Sequence, residues 1–436
     1  MAVNFSAKSS SNVTKVIPQD DVYNFKTCAL FGVFSYFPIS DSDVYKIYTS
    51  GEEVQNDFQE FISSSQTIRD NDRIAWLISA AKTFFNQIPR PTKLMICRID
   101  PGAVDVSGLP AYREALDNIF NSAPPFYACS LVDTITYNDS NVGEFISEFV
   151  KDFDYACKKY DVRRTIFANC NDTNAFINLE ATTDISLYNQ SCNGKTNALD
   201  YDIDNVMTCA HSLNFPIGAG GGGTDVDQNG DPILPFDGTK VNFSTVNFAA
   251  AIMGAFFTDP FGKSLSSISL QGVSLDPLVT DDAYASMTYG TGNSSCLFTN
   301  VYASFSLHNR TDFAQVQYGT MASSNQSKTL FLDQVITVDY AQIRTRYDAA
   351  VYMISNKIYF DNAGIIALAN VFKNVLQSMV NAGMIQTISN KDITYPLISN
   401  VNAANLASRT LANFSANVTL AVHIQKMKLQ VYLNLT

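Results

Sequence analysis

An acidic, glycine-rich stretch near the middle of the 436-residue chain holds the residues best suited to chemistry. Four oxygen-bearing side chains alternate there, as in the opening half of a calcium-binding loop: Asp225, Asp227, Asn229 and Asp231. The acid that normally closes such a loop is missing, because its twelfth position is Phe236 and Asp237 comes one place late. The four side chains are therefore candidate calcium ligands, and a metal-free acidic turn is the alternative.

Other chemistry has little support in the sequence. The three histidines, His211, His308 and His423, have no Cys, Asp or Glu at the spacing of a zinc site or a catalytic triad. The run GAGGGG at 218–223 matches a dinucleotide-binding fingerprint only formally, since an acidic, turn-rich segment follows it in place of a helix. We therefore predict that the chain is not an enzyme and needs no cofactor.

The composition of the chain limits the kinds of partner and environment that we expect for it. The formal charge of -12 and the lack of a basic run argue against direct nucleic-acid binding. The N-terminus lacks a signal-peptide pattern, and the best apolar stretch, Val246 to Phe257, is too short to span a bilayer, so we expect no membrane insertion and folding in a cytoplasm. Cysteines within apolar runs should be buried free thiols: Cys28, Cys97, Cys129 and Cys170.

The first part of the chain alternates apolar runs with helical patterns, which predicts an α/β unit with a buried sheet. A helix is predicted from Asp72, as its cap, to Gln87, with Pro89 and Pro91 beyond its end. The strand KLMICRI follows. A second helix is predicted over Gly143 to Tyr160, before the strand RRTIFAN.

The rest of the chain differs in composition. The middle is rich in Asn, Ser, Gly and Thr, and its pattern predicts a second domain or a long insertion. Two long helices follow, the first with an apolar stripe from Tyr340 to Ile354 and the second running from a cap at Asp361 to a left-handed Gly383. We expect them to pack as an antiparallel pair.

The C-terminal segment alternates apolar and polar residues in two phases. Val418, Leu420, Val422 and Ile424 are apolar, and after Gln425 the phase slips by one residue. Such a slip requires a bulge or a change of sheet. The last strand either belongs to the sheet of its own chain or pairs with another subunit, and the pattern favours neither. The apolar positions of the N-terminal segment suggest a matching arm.

Several segments in order resemble the contractile tail sheath family of phages (the myovirus type), in particular a branch long known only as a domain of unknown function. The resemblance begins with VYKIYTSGEEVQNDF and RIAWLISAAKTFFNQIPRPTKLMICRI, within Val44 to Ile99. It continues with AYREALDNIF, FYACSLVD, RRTIFANCND and AAAIMGAFFTDPFGKSLSSISLQGV. It closes with the two long helices, from LDQVITVDYAQIRTRYDAAV to NVLQSMVNAGMI. The Asn-rich and Gly-rich segment at 174–240 departs from the family pattern.

The resemblance implies a virion structural protein: a subunit of the phage tail, made in the host cytoplasm, that forms a helical homo-oligomer of stacked rings around a tail tube and also meets baseplate and terminator proteins. It implies linkage through exchanged terminal strands, for which the candidate residues are Val3, Phe5, Val13, Val16, Met427, Leu429, Val431, Leu433 and Leu435. Arg344, Arg346 and Lys357 on the first long helix are candidates for contact with an acidic tube, and a solvated helix face is the alternative.

The expected fold is mixed α/β and α+β, with a strand–helix unit, a loop-rich β-containing middle, a helix pair, C-terminal strands and extended arms. Five segments are predicted: an arm over 1–22, an α/β domain over 23–175, the middle over 176–325, the helix pair with a strand over 326–425, and a linking strand over 426–436. A calcium-stiffened capsid or surface-layer subunit is the alternative function, and an α/β enzyme is a third.

Overall fold

The computed structural model describes residues 24–33, 37–38, 44–61, 68–100, 112–132, 142–170, 206–210, 248–265, 268–271, 299–307, 310–316, 331–409, 411 and 414–421. These residues fall into two compact units. The larger unit lies within residues 17–260 and 267–335, and the smaller one contains 261–265 and the described part of 336–421.

Eleven strands occur among the described residues: β1 (Cys28–Val33), β2 (Tyr45–Tyr48), β3 (Leu94–Ile99), β4 (Ala128–Leu131), β5 (Thr165–Cys170), β6 (Val206–Ala210), β7 (Ser269–Leu270), β8 (Thr299–Leu307), β9 (Arg310–Val316), β10 (Ile393–Thr394) and β11 (Ser415–Ala416). The α-helices of the same residues are α1 (Gly51–Phe58), α2 (Ile68–Phe85), α3 (Tyr112–Ser122), α4 (Val142–Lys159), α5 (Phe248–Phe256), α6 (Leu332–Ser355), α7 (Asn362–Asn381) and α8 (Ala403–Ala407).

The larger unit is built on a mixed sheet with the strand order β2-β3-β1-β4-β5-β6-β8-β9-β7. The six strands from β3 to β8 run parallel, and β2, β9 and β7 add antiparallel pairs at the two edges. Helices cover both faces of such a parallel sheet, so its central strands must be apolar on both faces. All six residues of β1 are buried accordingly.

Alternate residues of β1 face two different helical layers. Ala29, Phe31 and Val33 belong to a core cluster with buried residues of α3 and α4. On the other face, α5 approaches so closely that the Cys28 thiol lies 4.0 Å from the carbonyl oxygen of Met253. Each fully buried Phe or Leu side chain in these layers contributes about 1.5–3 kcal/mol, so the two layers supply most of the stabilisation.

The crossing of α2 and α5 depends on a glycine. A Cβ atom on Gly254 would lie 2.4 Å from the carbonyl oxygen of Phe84 and 2.9 Å from Cγ of Gln87. No side chain fits at that distance, so only glycine allows the two helices to approach this closely. Gly254 thus fixes the position of the C-terminal end of α2, and of the loop that follows it, against α5.

The early elements match the sequence predictions with small shifts. Helix α2 begins at Ile68, four residues before the predicted cap Asp72, and ends at Phe85 before Pro89. Helix α4 and strands β3 and β5 lie where the pattern predicted them. Cys28, Cys97 and Cys129 are buried free thiols as expected, and so is Cys157, which the strand pattern missed. Burial raises the pKa of the first three, which keeps them protonated at neutral pH.

The middle region differs from the expected separate domain or insertion. Its described strands β6, β8 and β9 continue the sheet of the first region, across the predicted boundary at residue 175. The predicted apolar helix near 246–257 is α5, and it packs on the same sheet. An insertion can carry polar loops while its few apolar runs extend an existing sheet, which composition alone does not reveal.

One described helix, α7, is long and apolar enough by length and composition to cross a membrane, which the search for apolar stretches in the sequence missed. Six of its side chains are nevertheless buried within the smaller unit: Ile365, Ala369, Phe372, Val375, Leu376 and Met379. A helix in a protein core passes the same composition test, and here the packing accounts for the apolar residues.

The buried side chain of Arg164 allows the packing of the larger unit's core to be tested. It is 7% exposed, its guanidinium carbon lies 3.8 Å from the ring centre of Phe126 and 5.0 Å from that of Phe120, and burial lowers its pKa to about 10. Its Nε has no hydrogen-bond partner within the described structure. Arg164→Met should keep or raise the free energy of unfolding, because it replaces a buried charge, whose Nε has no hydrogen-bond partner within the described structure, with an apolar side chain of similar volume.

Arg164→Ala, the matched variant, leaves a cavity as well and should lower the free energy of unfolding by about 2 kcal/mol or more. Urea denaturation measures both. Equal losses in the two variants would contradict the interpretation, because they would mean that the guanidinium itself stabilises the fold.

Candidate assembly surfaces

The core of the smaller unit is formed on one face of α7, and the chain that follows α7 is held close to it. Gly262 lies against the end of this helix, where a Cβ would come 2.0 Å from the carbonyl oxygen of Ala382. Gly262 and Gly383 both have positive φ, at 64° and 71°, as the sequence predicted for Gly383. These two glycines allow the chain to turn tightly where α7 ends.

The turn between α6 and α7, residues 354–366, is here called the corner. Asp361 caps α7 as predicted, since its carboxylate accepts a hydrogen bond of 2.8 Å from the Gly364 amide. At the end of α6, the Asn356 side chain donates to the carbonyl of Tyr352 at 2.9 Å. A Cβ on Gly364 would lie 2.0 Å from the carbonyl oxygen of Tyr359, so the chain folds tightly onto the first turn of α7. These short-range contacts fix the shape of the corner.

The corner exposes apolar side chains. Ile354 is 72% exposed and Tyr359 71%, which are the two highest values for large apolar side chains among the described residues. Nine of the twelve exposed large apolar side chains of the described residues lie in the smaller unit: Val351, Met353, Ile354, Tyr359, Ile366, Tyr395, Leu397, Leu406 and Val418. Five of the nine lie between residues 351 and 366, at the end of α6 and in the corner, and an apolar patch at such a place is a candidate surface for another protein.

The apolar stripe of α6 is only partly covered. The stripe extends to Ile354 in the sequence, but at its C-terminal end Val351 is 41% exposed and none of residues 346–355 is buried. The stripe has the periodicity of a packed helix face, but in the last three turns of α6 its residues are half-buried or exposed. An apolar stripe with helical period indicates that this face of the helix packs against something. It does not indicate whether the packing partner is the same chain or another protein.

The three predicted basic residues have different surroundings. Arg344 is half-buried and its Nε lies 2.8 Å from the carboxylate of Asp348. Arg346 is half-buried one residue after the buried Thr345. Lys357 is exposed and follows the end of α6 at Ser355, rather than lying on the helix as predicted. Thirteen positions separate Arg344 from Lys357, which corresponds to about 20 Å at the rise per residue of an α-helix. The three basic residues therefore do not form one cluster.

A two-stranded antiparallel ribbon lies after α7, formed by residues 384–394 and 415–421. Strands β10 and β11 pair within it, and the Asn417 amide donates to the Asp392 carbonyl at 2.8 Å. Further along, the Gln386 amide donates to Thr419 at 2.8 Å and the Ala421 amide to Met384 at 3.0 Å. The predicted terminal strand is confirmed as far as the bridge of Leu420 with Ile385. Within the described structure no third strand joins the ribbon.

A capped turn fixes one side of the ribbon. The Ser389 amide donates to the Asp392 carboxylate at 2.6 Å, and the Ser389 hydroxyl accepts from the Lys391 amide at 3.3 Å. The hydrogen bonds from Ser389 lower the pKa of Asp392. The turn therefore fixes the position of β10, which pairs with β11.

Several predicted site residues lie outside the described residues: the arm positions Val3, Phe5, Val13, Val16, Met427, Leu429, Val431, Leu433 and Leu435, and the candidate calcium ligands Asp225, Asp227, Asn229 and Asp231. The three histidines lie outside them too. Among the residues that are described, no group of His, Cys, Asp or Glu side chains could hold a metal ion.

The tight corner predicts that a glycine-to-alanine substitution in the first turn of α7 is destabilising, whereas such a substitution in a helix is usually stabilising. Gly364→Ala should lower the free energy of unfolding by about 1–3 kcal/mol, because the new methyl group meets the Tyr359 carbonyl. Replacing glycine by alanine in an open helix usually raises stability by up to about 1 kcal/mol. Asn370→Ala, at an exposed position of α7, is the matched control and should be neutral or stabilising. Thermal unfolding measures both, and a stabilised Gly364→Ala variant would contradict the tight corner.

Comparison with known proteins gives structural neighbours only, since no protein-family model and no curated protein sequence matches the chain. A chain of the anti-feeding prophage baseplate, seen by cryo-electron microscopy, aligns with a TM-score of 0.58 at 11% identity, over 94% of each chain. The sheath tail protein Lin1278 of Listeria innocua aligns with a TM-score of 0.49 at 12% identity, over 92% of this chain and 100% of the other.

A chain of the contracted anti-feeding prophage baseplate also has a TM-score of 0.49, at 10% identity, over 98% of this chain and 97% of that one. The two likenesses at 0.49 carry no structural argument. The first shows that this chain shares the fold of that baseplate chain.

Proposed function

We propose that the chain is the structural subunit of a contractile phage tail sheath, whose copies form stacked rings around a tail tube and contract to drive the tube through the host envelope. The observation that carries the proposal is the ribbon, a sheet of two strands with no third strand in the described structure. Its backbone groups form a template onto which further strands can add. The shared fold of a baseplate subunit supports the same assignment.

Strand exchange supplies a link that fits this template. The terminal alternation, Met427 to Leu435, has the period of a strand with one apolar face. Each backbone hydrogen bond that it makes with a neighbour's ribbon contributes about 0.5–1.5 kcal/mol net, so a strand of this length forms a strong link. Val3, Phe5, Val13 and Val16 would supply the second arm.

Main-chain links also suit contraction. Backbone hydrogen bonds do not depend on which side chains meet, so the linked strands can hold while the surfaces around them change packing. The corner and the uncovered end of α6 offer such a surface, because they expose apolar side chains on a rigid turn. The energy released on contraction would then lie in the difference between two sets of side-chain contacts.

Contact with the tail tube is proposed for the same helix. Lys357 is the stronger candidate, because it is exposed, whereas Arg346 is half-buried and Arg344 is paired with Asp348. Basic side chains beside exposed apolar ones favour an acidic protein surface as partner. Baseplate and terminator proteins would meet the ends of the assembled sheath in the virion tail.

Removing residues 426–436 should abolish assembly, because it deletes the strand that links neighbouring copies. Negative-stain electron microscopy should show tubes or stacked rings for the full chain and single particles for the truncated one. The control variant Lys426→Ser with Lys428→Ser and Gln430→Ser keeps the apolar face and should still assemble. Tubes formed by the truncated chain would refute strand exchange, and sheets or shells from the full chain would refute the sheath.

Reversing charge at Arg346→Glu and Lys357→Glu should leave self-assembly intact and reduce loading onto purified tail tubes, because acidic side chains would then face an acidic partner. Cosedimentation with tubes at low and high salt measures this effect. Lys391→Glu, an exposed position of the ribbon turn, is the control. If the wild type, the double charge-reversal variant and the Lys391→Glu variant cosediment with tubes equally well, Arg346 and Lys357 do not contact the tube.

A further inference from the structure

Among the described residues of the larger unit, one large apolar side chain is far more exposed than the others, and it lies on the loop that connects α2 to β3. Residues 86–93 form this loop, here called the apex loop. Ile88 in it is 70% exposed, whereas the other exposed large apolar residues in the described part of the unit, Ile47 and Tyr155, are 38% and 43% exposed. Tyr155 is also stacked against Arg113, whose guanidinium carbon lies 4.4 Å from the ring centre. Ile88 therefore stands out as an apolar group available to a partner.

Buried hydrogen bonds hold the apex loop in place. The Gln87 side chain is 1% exposed; its amide donates to the carbonyls of Thr83 and Gln271 at 2.9 Å each, and its oxygen accepts from the Gln271 amide at 2.9 Å. The two bonds to Gln271 are those that a neighbouring strand residue would make, so Gln87 fastens the loop to the residue after β7. Pro91 is buried on the other side of the apex.

This anchoring keeps Ile88 outward. Turning Ile88 into the core would break the buried hydrogen bonds of Gln87, and leaving such groups unpaired costs about 1–3 kcal/mol each. A pinned loop also loses little conformational entropy when it binds. Burying Ile88 in a partner then contributes up to about 1.5–3 kcal/mol at small ordering cost, which is the energetic profile of an interface anchor.

The charges beside Ile88 indicate the partner. Arg90 is exposed, Lys93 is half-buried, and neither makes an ion pair in the described structure. The chain as a whole is acidic, with 41 Asp and Glu against 29 Lys and Arg. Two copies therefore repel each other on average, and a basic apex is a place where one copy attracts the acidic surface of another.

We propose that Ile88 and Arg90 insert into an apolar, acid-rimmed site on a second copy of the chain. The contact is heterologous, because the apex meets a different surface of its neighbour, and repeated heterologous contacts generate rings or helices. The proposal rests on the self-association that the proposed function also requires. It assigns part of that association to the larger unit, independently of the terminal arms.

Sedimentation velocity of the full chain over a concentration series tests the proposal. Ile88→Asp and Arg90→Glu should each weaken self-association by about tenfold or more, and raising the salt concentration should weaken the wild type. Thr92→Asn changes an exposed side chain of the same loop without changing its charge and should have little effect. Melting temperatures should stay unchanged in all three, since the altered side chains are exposed.

The outcomes separate the two proposals. Wild-type complexes that depend on Ile88 but appear in micrographs as sheets or shells would support the apex contact and refute the sheath. Tubes that form equally well with Ile88→Asp would support the sheath and overturn the apex contact. Equal weakening by Thr92→Asn, or a wild-type chain that stays monomeric at the highest concentration, would also overturn it.

Discussion

Backbone hydrogen bonding at the edges of the ribbon is the constraint on which the rest of the account depends. A strand that ends a sheet presents amide and carbonyl groups that water satisfies in a free subunit and that another strand can satisfy in an assembly. The ribbon at 384–394 and 415–421 has two strands, a capped turn at Ser389 and a tight connection to α7 at Gly383. These features position its edges, with which no third strand pairs among the described residues.

The two units differ in their cores and in their exposed apolar side chains. The larger unit is a sheet with helices on both faces, whose buried thiols and phenylalanines form a core of ordinary packing. Among the described residues, the smaller unit has a limited core around α7 and carries most of the exposed large apolar side chains. The proposed function, in which a subunit exchanges one set of neighbour contacts for another, fits this combination, because a well-packed unit keeps its shape while exposed apolar side chains change partners.

Much of the fold follows from the sequence, for identifiable reasons. Helix α4 was predictable because its apolar residues repeat with the period of an amphipathic helix. Strand β3 was predictable because it is a short apolar run with β-branched residues. Asp361 and Gly383 were predictable because cap and left-handed positions restrict residue type. The continuation of the sheet through β6, β8 and β9 was not predictable, since strand pairing over long sequence separations leaves no local pattern. The exposure of Ile354 was missed because a helix face that binds a partner has the same period as one that binds its own core.

The central claim is that the ribbon is completed by strands from other copies. Cryo-electron microscopy of the assembled protein tests it most directly, because the map traces each strand to the chain that supplies it. The account predicts that a strand from residues 427–435 of one copy pairs with the ribbon of its neighbour. A ribbon that remains two-stranded in the assembly, or that pairs only with the terminal strand of its own chain, would contradict it.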